Sequence, residues 1–164
     1  MENPRLNRQN SGLKWAVTAY LLLSATAFGI AGLMSREHYG FDHERTVVYY
    51  LGDEASGGMQ MPKLFPQLLQ TAHVHSFTMP LVFLALWLGL HFTPIKCGWK
   101  CAWIGGGALS ILLYNAAPFM LRYYSPHFAS LFTVGGMGLF FFYFVPAGAI
   151  LYETWIGFQT SATS

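Results

Sequence analysis

Four long stretches of this chain contain no Asp, Glu, Lys or Arg, and they constrain its fold more than any other feature. About 20 apolar residues are enough to cross the hydrocarbon core of a bilayer as a helix. Backbone N–H and C=O groups find no water there, so each stretch must pair them internally as a helix. The stretches are 21, 32, 21 and 30 residues long and are bounded by Lys14 and Arg36, Lys63 and Lys96, Lys100 and Arg122, and Arg122 and Glu153.

We therefore predict an all-α fold, an integral membrane four-helix bundle that forms a single membrane domain over residues 1–164. Residues 35–65 are expected to form an outer loop of about 30 residues between helices 1 and 2. So short a segment cannot build its own core and is expected to pack over the helix ends. Ser125 and Pro126 predict the cap and first residue of helix 4. The spans are expected at about 15–34, 67–92, 101–121 and 127–152.

The charge content excludes several classes of soluble protein. Only 10% of the residues are charged, against about 25% in soluble domains. All sixteen acidic and basic side chains, nine plus seven, are expected outside the four spans. A net charge of +2 gives no reason to expect a nucleic-acid partner. The chain also offers no nucleophile–base pair, phosphate-binding loop or pair of buried carboxylates for hydrolytic chemistry.

The distribution of Lys and Arg predicts an orientation. The N-terminal tail and the loop between helices 2 and 3 carry five basic residues, whereas the opposite side carries four, diluted by five acids. Because cytoplasmic loops are enriched in Lys and Arg, both termini are expected in the cytoplasm, with the bacterial inner membrane as the location. Residues 35–65 would then lie on the outer face.

Histidines near the outer ends of helices 2 and 4 are the main candidates for chemistry. His73, His75 and His127 are expected at one depth, with Arg122 and Tyr123 at the same level. Ionisable groups within a membrane are costly, and their presence there indicates a function. The pair His73 and His75 is separated by about 200° around a helix, so the two rings point to nearly opposite faces. His75 is the closer of the two to a polar face and is expected to point into the bundle.

A b-type haem is the cofactor that this cluster predicts. Imidazole suits iron, copper, zinc and nickel, and haem is a flat group held by axial histidines in many electron carriers. The iron could be ligated by His127 together with either His73 or His75. Arg122 and Tyr123 could form hydrogen bonds with the propionates. Two alternatives stay open: a bare metal site, and histidines that only bond across helices or lie at the interface.

Weaker metal candidates lie elsewhere in the chain. His38 and His43 fall in the outer loop with nearby carboxylates, and Met59 and Met61 supply thioethers that suit Cu(I). His91 lies at the opposite end of helix 2 and is expected at the membrane interface. Copper is therefore the alternative cofactor. Two further features have more than one possible role. Cys97 and Cys101 lie on one helical face and would serve packing, lipidation or metal binding. The glycines of helices 3 and 4 would serve helix packing or make room for a flat cofactor.

The segment Thr71-Ala72-His73-Val74-His75-Ser76-Phe77 carries a resemblance. It resembles the helix of haem–copper oxidase and nitric oxide reductase catalytic subunits in which an H-x-H pair serves two haems. It is also similar to small four-helix bacterial membrane proteins with an H-x-H near the start of helix 2. The resemblance implies that His73 and His75 are ligands. It covers one helix, and the additional histidine trio that holds copper in the oxidases is missing.

These observations predict a membrane haem-binding electron-transfer or quinol-interacting subunit of a respiratory-type complex. If it takes part in catalysis, it does so as an oxidoreductase subunit. Its partners would be the lipid bilayer, other membrane subunits or a redox protein on the outer face, and quinol. The alternative is a non-catalytic accessory or assembly subunit that handles copper, and a third is a pigment-binding protein.

Overall fold

Five α-helices and two short 3-10 turns form the described part of the chain in this computed structural model, which describes residues 5–39, 42–53 and 57–157. No β-strand occurs among these residues. The 3-10 turns are Leu6–Arg8 and Pro126–Ala129. The α-helices are α1 (Ser11–His38), α2 (His43–Leu51), α3 (Phe65–His91), α4 (Cys97–Tyr123) and α5 (Ser130–Trp155).

Four of the helical segments in the described ranges are long and apolar enough to cross a membrane, namely α1, α3, α4 and Pro126–Trp155. The prediction of an all-helical, four-span membrane bundle is confirmed. Consecutive spans run in opposite directions, so the start of α1 meets the end of α5, where the Trp15 and Trp155 rings lie 4.9 Å apart. We call this the terminal end of the bundle, and the opposite end, which carries α2, the α2 end.

The helices extend beyond the predicted spans. The α1 helix covers Ser11–His38 instead of about 15–34, and α4 begins at Cys97 instead of near residue 101. The predicted starts of these two spans lie directly after Lys14 and Lys100, whereas helical hydrogen bonding includes both residues, because long Lys side chains carry their charge to the membrane surface. At the start of α1, Asn10 accepts a hydrogen bond from the Leu13 N–H at 2.8 Å.

The fourth span opens with a tighter turn than expected. Ser125 Oγ accepts from the His127 N–H at 3.4 Å, as a cap does, but Pro126–Ala129 is a 3-10 turn and the α-helix begins at Ser130. Ser130 Oγ donates to the His127 carbonyl at 3.0 Å. This bond satisfies a carbonyl of the tight turn, and such turns are frequent at helix N-termini.

The segment predicted as an outer loop contains a helix. Asp42 caps α2 by accepting from the Glu44 N–H at 3.1 Å. Gly52 ends α2 with a φ of +81°, and a Cβ there would lie 2.6 Å from the Gln60 carbonyl oxygen, so a side chain is excluded. Thr46 and Tyr50 are buried against the bundle. The segment therefore packs over the helix ends, as expected.

Glycines bring α4 and α5 into close contact. A Cβ on Gly135 would lie 2.9 Å from the Tyr114 backbone nitrogen, so the two helix backbones approach where only a hydrogen fits. Gly106 accommodates the ring of Phe142, and Gly107 that of Phe83. The sequence left two roles open for these glycines, helix packing or room for a flat cofactor. At these positions they serve packing between helices, which is the usual role of small residues in membranes.

Polar side chains join α1 to its neighbours inside the bundle. The Tyr143 hydroxyl donates to the Leu21 carbonyl at 3.0 Å and also pairs with Ser24 Oγ. The Tyr20 hydroxyl donates to the Val82 carbonyl at 3.0 Å. These bonds link α1 to α5 and to α3, and they give hydrogen-bond partners to polar groups that lie away from water.

One carboxylate lies where none was expected. Glu153 belongs to α5 and is 0% exposed. The prediction that every charged side chain lies outside the spans is corrected by this residue and by those that lie within α1 and α4, namely Lys14, Arg36, Glu37, Lys100 and Arg122. The N-terminal turn Leu6–Arg8 packs against α5, and Leu6 is buried as well. Protein, and not lipid, therefore covers Glu153. The sequence around Glu153 does not reveal this burial, because it depends on contacts with other parts of the chain.

Candidate functional site

A cavity of about 410 Å³ lies at the α2 end of the bundle. Its walls come from all five helices and from the chain that leads into α3, so the residues meet only in the folded protein. This volume lies in the lower part of the range of about 300–1,000 Å³ that is typical of small-molecule sites. The lining residues used below are Ser35, His38, Tyr39, Tyr49, Tyr50, Lys63, His75, Tyr114, Asn115 and Phe132.

Tyrosine hydroxyls form a short hydrogen-bonded chain in this cavity. The hydroxyl oxygens of Tyr39 and Tyr114 lie 3.1 Å apart, and Ser35 Oγ lies 3.3 Å from Tyr39. The chain thus connects the end of α1 to α4. Tyr50 closes the wall by stacking on Phe132, with ring centroids 4.9 Å apart. The cavity therefore combines flat aromatic walls with hydroxyl groups that can donate or accept.

Burial keeps the hydroxyl groups of Tyr39 and Tyr50 protonated. Desolvation raises the pKa of Tyr39 and of Tyr50 far above the ordinary value, and the neighbouring tyrosines raise both further. Each hydroxyl therefore stays neutral across the physiological range. It can relay a hydrogen bond without ever carrying a negative charge.

His75 is the histidine that α3 turns toward the cavity. It is half-buried, and its ring centroid lies 5.9 Å from that of Tyr114. Asn115, the next residue on α4, donates from Nδ2 to the Ile111 carbonyl at 2.9 Å. Its Oδ1 is buried and accepts no hydrogen bond from the described residues. A ligand hydroxyl that reached this oxygen would satisfy it.

His73 lies on the other side of α3, as the H-x-H spacing predicts. It is exposed and contacts Phe77 edge to face, with ring centroids 5.5 Å apart. His73 does not line the cavity. The polar face of the helix thus correctly indicated that His75 is the inward residue of the pair.

The remaining residues of the predicted haem site lie outside the cavity. His127 is exposed in the 3-10 turn before α5. Arg122 Nε donates to the Lys63 carbonyl at 3.2 Å and holds the chain that enters α3. Tyr123 is 53% exposed. The structure therefore brings one member of the predicted set, His75, to the cavity.

The weaker metal candidates also divide into residues that line the cavity and residues that lie outside it. His38 lines the cavity and stacks on Tyr49, with ring centroids 5.5 Å apart. His43, Met59 and Met61 are exposed around α2, and His91 is exposed at the far end of α3. Over residues 5–39, 42–53 and 57–157 no group of three or more His, Cys, Asp or Glu side chains is arranged to hold a metal ion.

Sequence reasoning missed the tyrosines of the cavity. Tyr39, Tyr49 and Tyr50 fall in the segment interpreted as a loop, where aromatic residues are expected at the membrane interface whatever their role. The available signal was Tyr114 beside Asn115, two polar residues within a predicted span. Such residues in a membrane helix need hydrogen-bonding partners on another helix or in a cavity.

A family model described as a transmembrane helical domain matches residues 40–161, which include α2 to α5. Neither the curated proteins nor the solved structures contain a match to the chain.

Proposed function

Since the chain belongs to the Aq_1264_TM family of transmembrane helical domains, we propose that it acts within the membrane as a quinol-interacting electron-transfer subunit. The cavity at the α2 end would hold the quinol headgroup. The observation that carries the proposal is that His75, Asn115 and the Tyr39–Tyr114 hydroxyl pair line one cavity.

The chemistry of a quinol headgroup matches this lining. The headgroup is a flat ring with two hydroxyl groups on opposite edges, and each hydroxyl needs an acceptor when it leaves water. The His75 imidazole and the hydroxyl oxygens of the Tyr39–Tyr114 pair can accept these hydrogen bonds, and Tyr50 and Phe132 supply aromatic walls. The membrane position would leave the isoprenoid tail in lipid.

Oxidation of a quinol to a quinone releases two protons and two electrons. His75 would accept one proton, because a neutral imidazole is a suitable general base near neutral pH. The hydroxyls of Tyr114 and Tyr39 would relay the second proton to water at the α2 end, and Ser35 would support the relay through its hydrogen bond to Tyr39. Both electrons would pass to a redox protein or another membrane subunit, which is the partner that this proposal requires.

The proposed orientation gives this proton release a direction. With both termini in the cytoplasm of a bacterial inner membrane, the cavity lies near the outer face. The basic residues at the terminal end support that orientation. Protons from the quinol would then leave on the outer side.

Binding of a soluble quinol analogue to two variants tests the proposal. The purified protein in detergent is titrated with decylubiquinol, and heat of binding is measured. We expect His75→Ala to weaken binding by roughly tenfold, because a hydrogen bond to the ligand is lost. His73→Ala is the matched control, since it removes the same side chain two residues away and outside the cavity. Equal effects of the two variants, or no binding by the unmodified protein, would disprove the proposal.

A b-type haem is the second candidate, and one observation favours it. His38 and His75 both line the cavity and come from different helices, as axial ligands do. The absorption spectrum of the purified protein before and after dithionite reduction decides between the two. A Soret shift with an α band, lost in His38→Ala and His75→Ala, would support haem at this cavity. Loss in His127→Ala instead would support the ligand pair that the sequence predicts.

A further inference from the structure

The two cysteines of the chain lie side by side at the terminal end of the bundle. Cys97 is the first residue of α4, and Cys101 follows one turn later on the same face. Their Sγ atoms are 4.0 Å apart, and both side chains are exposed. This end of the bundle is opposite the cavity, so the pair is independent of the proposed quinol or haem site.

The separation of the sulfur atoms suits a shared metal ion. Thiolate–metal bonds are about 2.3 Å long for zinc, so two of them place the sulfurs about 4.6 Å apart in a linear arrangement and about 4.0 Å apart at a trigonal angle. The observed 4.0 Å matches the second geometry with no movement of the helix. A disulfide would need the same atoms at about 2.05 Å.

The number of ligands selects the ion. No third His, Cys, Asp or Glu of the described ranges completes a metal group here. Structural zinc sites use four protein ligands, so two thiolates leave zinc under-coordinated. Cu(I) is soft and prefers thiolate sulfur, and it is stable with two or three ligands. A third position can be taken by a thiol from solution.

We propose that Cys97 and Cys101 form a surface site for Cu(I) at the start of α4. On binding, each thiol loses its proton and each thiolate forms one bond to the ion, with no change in oxidation state. Two thiolates and one Cu(I) leave a net charge of −1. The N-terminus of a 27-residue helix favours that charge.

Nearby lysines complete the electrostatic setting. Lys96 directly precedes α4, and Lys100 lies between the two cysteines. Lys100 Nζ donates to the His91 carbonyl at 3.1 Å and to the Thr93 carbonyl at 2.8 Å, which holds its ammonium group at the end of α3. Positive charge in this part of the chain favours a complex that carries a net charge of −1.

Competition for Cu(I) tests the site. The full-length protein is purified in detergent under anaerobic, reducing conditions and mixed with Cu(I) and a coloured Cu(I) chelator. We expect the unmodified protein to withhold one equivalent of copper. Cys97→Ser and Cys101→Ser should each lose roughly tenfold or more in affinity, because one of two thiolate bonds is gone. The double variant, which contains no cysteine, should withhold none.

Matched controls separate this site from others. A Met59→Ser, Met61→Ser variant removes the exposed thioethers at the opposite end and should keep the full equivalent, and circular dichroism checks that each variant stays helical. Copper retention by the cysteine-free variant would overturn the proposal. So would undiminished affinity in either single variant, or an acyl chain found on either cysteine by mass spectrometry of the purified protein.

Discussion

The hydroxyl oxygens of Tyr39 and Tyr114 lie 3.1 Å apart and join the end of α1 to α4 across the cavity. Because this bond joins two helices and both tyrosines line the cavity, it is both a structural link and part of the proposed proton route. Substitutions near it therefore distinguish stability from ligand binding.

Tyr114→Phe removes one hydroxyl from the chain and keeps the ring. We expect a loss of about 1 kcal/mol in the free energy of unfolding, the usual net value of one hydrogen bond, together with weaker decylubiquinol binding. Thermal unfolding in detergent and calorimetric titration measure the two effects. Tyr123→Phe, on the same helix but 53% exposed, is the control and should change neither. A similar change in the control would show that the Tyr39–Tyr114 bond has no special role.

Gly135→Ala should destabilise the bundle by about 1–3 kcal/mol, the usual cost of overpacking. The added Cβ would lie 2.9 Å from the Tyr114 backbone nitrogen, and a backbone cannot move aside as a flexible side chain can. Gly148→Ala in the same helix is the control. A Cβ there meets nothing within 4 Å, so it should be neutral or slightly stabilising in thermal unfolding. Equal melting temperatures would contradict the close packing of α4 on α5.

Tyr143→Phe should lower the free energy of unfolding by about 1–3 kcal/mol, because it leaves the Leu21 carbonyl and Ser24 without their buried partner. Tyr124→Phe removes a hydroxyl from a side chain that is 77% exposed and should have no measurable effect. Thermal unfolding followed by circular dichroism compares the two. If both variants melt alike, the Tyr143 hydroxyl does not hold α1 to α5.

Alkaline titration tests the buried tyrosines of the α2 end. Burial raises the pKa of Tyr39 and Tyr50 above the ordinary value of about 10. The fold thus favours the protonated hydroxyls, so their contribution to stability is complete below about pH 10 and is lost as the pH rises further. Tyrosinate absorbance should show a late-ionising fraction that becomes smaller by two tyrosines in the Tyr39→Phe, Tyr50→Phe variant. Ionisation of all tyrosines together in the intact fold would refute this.

Labelling of intact bacterial cells with a membrane-impermeant maleimide tests the proposed orientation. The native cysteines at the terminal end should not react from outside, and a Met59→Cys substitution in the cysteine-free chain should react readily, because Met59 is fully exposed at the α2 end. Permeabilised cells provide the control in which both react. The reverse pattern would place the cavity at the cytoplasmic face.

The four spans could be predicted because desolvated charge is costly, so that charged residues occur near the ends of every membrane helix and not in its middle. The inward position of His75 followed from helical geometry and from polar neighbours on one face. Other features depend on contacts between distant segments. Tyr39 and Tyr114 are 75 residues apart, and Glu153 is buried although it follows a predicted span, so no local pattern reveals either. The helix α2 was missed because its nine residues are bounded by Asp42 and Gly52, which are equally typical of a loop.

The contact of Gly135 with the Tyr114 backbone has a consequence for recognition. Main-chain packing fixes the position of Tyr114, so the hydroxyl that faces the cavity is placed before any ligand arrives. The conformational entropy of ordering this donor is lost during folding, and a ligand that binds there does not lose it again. The cavity would then select ligands by the spacing of the polar groups on a ring. This selectivity would depend on the packing of α4 against α5, and therefore on Gly135, which never touches the ligand.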